Sequence, residues 1–145
     1  MSSDNLPNPT RIVIPSDPLA VREALRALFD RLTLGQMHDD ARDTAQIVLA
    51  EALNNIVEHA YAKSPGEIEV TIDLSPLGLI CRIMDAGLPM PGGALPDGTL
   101  APISAIDDLP EGGFGWHLIR TLSEDLHYRR EGELNLLTFR ISAKQ

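Results

Sequence analysis

EALNNIVEHAY, residues 51–61, closes a long helical pattern, and its reading decides what surrounds it. At about 100° per residue, Leu49, Ala52, Leu53, Ile56 and Ala60 share one face, while Glu51, Asn55 and Glu58 cluster on nearly the opposite one. For an arbitrary helix such a stripe most often means a solvated side. Two features argue otherwise. Ile47 and Val48 put large apolar groups one turn earlier on the polar side. Asparagine within a helix also costs roughly half a kcal/mol relative to alanine, and Asn54-Asn55 doubles that cost. A carboxylate and a carboxamide one turn apart can share a polar target: Asn55 offers a neutral oxygen suited to a hard cation, and Glu51 can orient or deprotonate a hydroxyl.

Upstream, RIVIP (residues 11–15) reads as an opening strand. Ser16-Asp17-Pro18 supplies an N-cap and a first-turn proline for a helix through Leu19, Leu25, Leu28 and Leu32, which Gly35 ends. The second helix starts near His38-Asp39-Asp40 and is expected to continue to about Tyr61. Downstream, EIEVTIDL (67–74) alternates as a half-buried strand does, and LICRIM (79–84) is its neighbour across the turn Ser75-Pro76-Leu77-Gly78. Between Gly87 and Gly115 lie 7 glycines and 5 prolines, 12 of the chain's 22, so little regular structure is expected there. WHLIRTLS (116–123) reads as a short helix, and residues 126–130 and 134–141 as a hairpin around Glu131-Gly132-Glu133.

The order β-α-α-β-β-loop-α-β-β groups helices and joins strands by tight turns. It predicts an α+β fold, a two-layer α/β sandwich whose mixed, mostly antiparallel sheet carries its helices on one face. At 145 residues the chain is expected to form one domain, residues 1–145. An apolar fraction of 43% and a charged fraction of 23% are those of an ordinary globular protein. The formal net charge of −9 disfavours direct binding to nucleic acid or to an anionic membrane, since Arg129-Arg130 is the only basic cluster. A single cysteine, Cys81, excludes an internal disulfide and a multi-cysteine metal site. With no apolar block in MSSDNLPNPT and no run long enough to span a bilayer, the expected location is cytoplasmic.

Two further clusters carry chemistry. Asp85-Ala86-Gly87 directly follows the strand at 79–84; its carboxylate can accept from the exocyclic amine of a base, although an Asx turn ending a strand is the commoner meaning. Glu111-Gly112-Gly113-Phe114-Gly115 immediately precedes a helix, where exposed N–H groups and the helix dipole make an anion site that needs no lysine. That matters in a chain whose only lysines are Lys63 and Lys144. GxxxxGK[ST] is absent and Gly113-Phe114-Gly115 does not extend to GxGxxG, so the P-loop and Rossmann readings both fail.

Taken in order, the three clusters resemble the N-box and the two glycine boxes of the GHKL (Bergerat-fold) ATPases, and within them the small anti-sigma-factor serine/threonine protein kinases of partner-switching systems. The resemblance spans nearly the whole chain, from the first strand to the final hairpin. It includes the trailing His59-Ala60-Tyr61 and a D-x-G-x-P form of the first glycine box, with Pro89 where the wider superfamily has glycine.

The resemblance implies ATP and Mg²⁺ as ligands. Asn55 would ligate the metal, Glu51 would be the general base toward a partner serine, and Asp85 with Gly87 would receive the adenine. Gly113 and Gly115 would cradle phosphates, with His59 and Arg120 as further nucleotide contacts and residues 88–111 as the ATP lid. Implied partners are an anti-sigma-factor antagonist and a sigma factor, with homodimers common among relatives of this type. The alternatives are a nucleotide-dependent module that sequesters a partner without kinase activity, and another stand-alone GHKL ATPase. Trp116 is expected in the core.

Overall fold

A computed structural model describes residues 9–31, 37–96 and 113–143. The elements are β1 (Thr10–Pro15), α1 (Pro18–Arg31), α2 (Asp39–Asn55) with a π-helical turn (Ile56–Ala60), β2 (Glu67–Ser75), β3 (Gly78–Asp85), α3 (Gly113–Leu122), β4 (Glu124–Glu131) and β5 (Leu134–Ser142). Asp17 caps α1 as its sequence predicts, its carboxylate accepting the Ala20 N–H at 2.9 Å, with Pro18 at the first helical position.

The five strands form one sheet in the order β1-β2-β3-β5-β4, and each of the four pairings is antiparallel. The sheet is therefore simpler than the mixed one expected from sequence. Two helices separate β1 from β2, and the chain returns antiparallel beside its start. The single helix α3 carries the chain from β3 to β4, which run the same way, but β5 inserts between them. No parallel pair is left to form.

Strand alternation sends one phase inward: Ile14, Ile68, Val70, Ile72, Ile83, Phe139 and Ile141 are all buried in the core. The other phase, including Arg11, Val13 and Arg82, stays exposed, so all three helices cover the same face. The α+β two-layer architecture is as expected. Cys81 lies in that core, where burial pushes its thiol far above its ordinary range and leaves it inert at neutral pH. Among the described residues no helix is long and apolar enough to cross a membrane.

On α2, Val48, Leu49 and Leu53 are completely buried. Each contributes roughly 1.5–3 kcal/mol, which outweighs the propensity cost of its two asparagines. The polar stripe itself divides. Asn55 is buried at 7% exposure, Glu51 is half-buried and Glu58 is half-exposed, while Ile47 is 45% exposed and does not cover that side as its size suggested.

Candidate functional site

The buried end of α2 meets the start of α3. Asn55 turns its amide back along its own helix, Nδ2 donating to the Glu51 carbonyl at 2.9 Å. A carbonyl can only accept, so the nitrogen is fixed there and Oδ1 faces away, with no hydrogen bond among the described residues. Gly115 packs directly against this pair: a methyl placed on it would stand 2.8 Å from Glu51 Oε2 and 3.1 Å from Asn55 Nδ2. Any side chain there would push both groups aside. Helix α3 begins at Gly113, three residues earlier than its apolar pattern implied, so Gly113 and Gly115 form its first turn, whose N–H groups lack intrahelical acceptors.

The far side of the site is the end of β3. Asp85 Oδ1 accepts the Gly87 N–H at 2.9 Å, so the Asx turn does form; Oδ2 takes no hydrogen bond among the described residues. Beside it, α2 passes into the π-turn, where Tyr61 N–H donates to Ile56 O at 3.0 Å. Sequence predicted a continuous α-helix to Tyr61. The widened turn frees the Ala60 carbonyl, which accepts the Leu88 N–H at 2.7 Å and ties the helix end to the segment after Asp85. Gly87 is forced by the same closeness, since a Cβ there would lie 2.3 Å from that carbonyl oxygen.

Three residues of the final hairpin complete this corner and escaped the sequence reading. Asn135 donates from Nδ2 to Asp85 Oδ1 at 2.8 Å and to Leu88 O at 2.9 Å. Tyr128 donates its hydroxyl to Asn135 Oδ1 at 2.6 Å and accepts the Met90 N–H at 3.0 Å. Arg130 Nη1 donates to Asn135 Oδ1 at 3.1 Å and to Gly87 O at 2.7 Å. One signal was available: Asn135 is the polar member of the inward phase Asn135, Leu137, Phe139, Ile141.

Asp85 is 4% exposed, and burial raises its pKa against the opposing pull of Asn135, the Gly87 N–H and Arg130. A carboxyl whose folded pKa is raised favours folding below its unfolded pKa of about 4 and loses that contribution as pH rises through the folded value. Asp85→Asn is therefore expected to melt no lower than the wild type at neutral pH, with its relative gain shrinking as pH falls toward about 4. Thermal melts across that range measure it; a gain that grows on acidification contradicts the stated cost.

Between the two ends lies a cavity of about 460 Å³, within the usual range for small-molecule sites. Its walls are mostly apolar, from Ala52, Ile56, Leu88, Pro89, Met90, Trp116 and Leu137, with Asn55, His59, Asp85, Tyr128 and Asn135 as polar groups. Pro89 thus adds apolar wall where a glycine would add none. Trp116 is buried, as expected, and faces this cavity. His59 lines the rim with its ring largely exposed, Nε2 lying 3.9 Å from Glu58. Arg120 donates from Nε to the Pro96 carbonyl at 2.7 Å, which fastens the segment after β3 to α3. Of the expected lid, 88–111, residues 97–111 lie outside the described residues, as does the Glu111-Gly112 start of the second glycine box.

Asn55, Asp85 and Trp116, one from each sequence box, line the same cavity, and Gly115 packs on Glu51 and Asn55 beside it. The sequence matches the family described as "Histidine kinase-like ATPase domain" over residues 14–141. The chain belongs to this family. The match bears out the GHKL resemblance. Among similar relatives are the serine-protein kinases RsbW of Bacillus mycoides (strain KBAB4) and Bacillus cereus (strain AH820), each 33% identical over 115 residues, 77% of this chain and 71% of the relative. Among solved structures, the Acinetobacter baumannii histidine kinase AdeS aligns with a TM-score of 0.49 and 20% identity over 94% of this chain and 68% of its own.

The residues present fit the nucleotide and metal of a histidine kinase-like ATPase. Asp85 offers an acceptor in a mostly apolar cavity, and Asn55 has an amide oxygen left over where Gly115 makes room. Among the described residues no group of three or more His, Cys, Asp or Glu forms a metal cage. A single protein oxygen is the sparse ligation that Mg²⁺ accepts when phosphates and water supply the rest.

Proposed function

We propose that this chain is an ATP-dependent serine/threonine protein kinase that acts as an anti-sigma regulatory factor: it binds a sigma factor in the cytoplasm and phosphorylates a small antagonist protein. The observation that carries the reading is the three-way contact of Glu51, Asn55 and Gly115 beside the cavity that Asp85 walls. The 33% identity to serine-protein kinases supports it.

In this reading Asp85 accepts from the exocyclic amine of adenine, and Asn55 offers Oδ1 to Mg²⁺. The metal, when bound, supplies charge neutralisation across the phosphates. The first turn of α3 donates N–H groups to phosphate oxygens, doing without lysine. Glu51 takes the proton of the partner's serine hydroxyl as its Oγ–phosphorus bond forms and the bond to the β,γ-bridging oxygen breaks, leaving ADP.

The purified chain, incubated with Mg²⁺ and γ-labelled ATP, is expected to label a serine or threonine of the small protein that co-purifies with it. Asn55→Ala should lose most of the Mg²⁺ enhancement of nucleotide binding in a calorimetric titration. A partner held tightly with nucleotide but never labelled would select the sequestering module instead. Tight ATP binding that ignores Mg²⁺ in the wild type would remove the metal role of Asn55.

A further inference from the structure

We propose that Tyr128 and Arg130 are positioning residues that set base selectivity: from β4 they lock the Asn135 amide so that Asp85 meets the base only as an acceptor. The inference rests on the reading of Asp85 as the base-binding carboxylate.

The four hydrogen bonds of Asn135 admit one orientation. A guanidinium has no acceptor, so the amide atom 3.1 Å from Arg130 Nη1 is the oxygen. The Leu88 carbonyl can only accept, so the atom 2.9 Å from it is the nitrogen, and the same NH₂ reaches Asp85 Oδ1 at 2.8 Å. Tyr128 fills the second lone pair of the oxygen. Rotated by half a turn, the amide would aim its oxygen at the Asp85 carboxylate and the Leu88 carbonyl and its nitrogen at Arg130, losing those three bonds. Tyr128 and Arg130 hold the oxygen end, and so keep the NH₂ seated on Asp85 Oδ1.

The consequence reaches the cavity through Asp85. With Oδ1 occupied by Asn135 and the Gly87 N–H, Oδ2 is the atom left for a ligand. A 6-amino purine donates to it; a 6-oxo purine turns a second acceptor toward it and is rejected. Without Tyr128 or Arg130 the amide is held less firmly on Asp85 Oδ1, the carboxylate loses part of the bonding that keeps it ionised, and a protonated Asp85 can donate to the 6-oxo group. Selectivity is then lost even though Asp85 is intact.

The test is the ratio of ATP to inosine triphosphate affinity, by titration into the full chain carrying Tyr128→Phe or Arg130→Met. Wild type is expected to favour ATP by about 10- to 100-fold. Each variant should reduce that preference severalfold, and neither should change it further in an Asp85→Asn background, as residues acting through one group behave. Variants that weaken both nucleotides equally and keep the ratio would show a merely structural role and overturn the proposal. A wild type that takes both nucleotides alike would overturn the Asp85 reading and this inference with it. Tyr128→Phe removes a single oxygen and decides the matter should Arg130→Met fail to fold.

Discussion

Glu51→Gln is expected to slow phosphoryl transfer to the partner by about 10²–10⁴-fold, the usual contribution of a positioned general base. Nucleotide affinity should stay within about threefold, because binding energy at this site is assigned to other residues. Glutamine keeps the shape that packs on Gly115 and the backbone carbonyl that receives Asn55 Nδ2, so the geometry around Asn55 survives. What it lacks is an oxygen able to take a proton at neutral pH. Single-turnover transfer of labelled phosphate, paired with a titration of ATP, separates the two quantities. Wild-type transfer rates in the variant would remove Glu51 from the chemistry, and a parallel loss of affinity would make it a binding residue.

Gly115→Ala should leave the fold intact and still cost about 100-fold in transfer, the scale expected when catalytic groups are displaced by about an ångström. The added methyl would stand 2.8 Å from Glu51 Oε2, the far end of a flexible side chain, and 3.1 Å from Asn55 Nδ2. Both groups can swing aside, and alanine in a helix is favoured over glycine by about 1 kcal/mol, so the melting temperature should hold or rise. Gly87→Ala provides the contrast, because its methyl would meet the Ala60 backbone, which cannot yield without moving the π-turn. That variant should lose stability and nucleotide binding together. Melting curves and titrations of the pair distinguish a crowded site from a broken fold; equal loss of stability in both would contradict the geometry.

The strands and helices were largely legible because local pattern governs them. Asp17-Pro18 starts α1 in the sequence as in the structure, and the alternation in EIEVTIDL marks the two faces of β2. What tertiary contact decides was not legible. Asn55 lies on a polar stripe by periodicity, yet it is buried because α3 packs over that part of α2. Ile47, about two turns earlier, has no such cover and remains exposed. The π-turn at Ile56–Ala60 leaves no mark on the apolar spacing; what accompanies it is the bond between Ala60 and Leu88, 28 positions on. Asn135 showed itself only as a polar break in an inward strand phase, and its partner Asp85 lies 50 residues earlier. Sheet order brings the two together, and no local pattern encodes sheet order.

Glu51, Asp85, Gly115 and Asn135 come from four separate stretches of chain and become neighbours only when α2, β3, α3 and β5 have all docked. An unfolded or half-assembled molecule therefore has nothing to offer a nucleotide, and every bit of binding energy accrues to the finished form. At a ligand concentration of about one hundred times Kd this mass action adds roughly 2.7 kcal/mol, a substantial share of the margin by which a domain of this size holds together. Cellular ATP would thus double as a fastener, protecting the loaded protein from proteolysis and leaving the empty one to turn over.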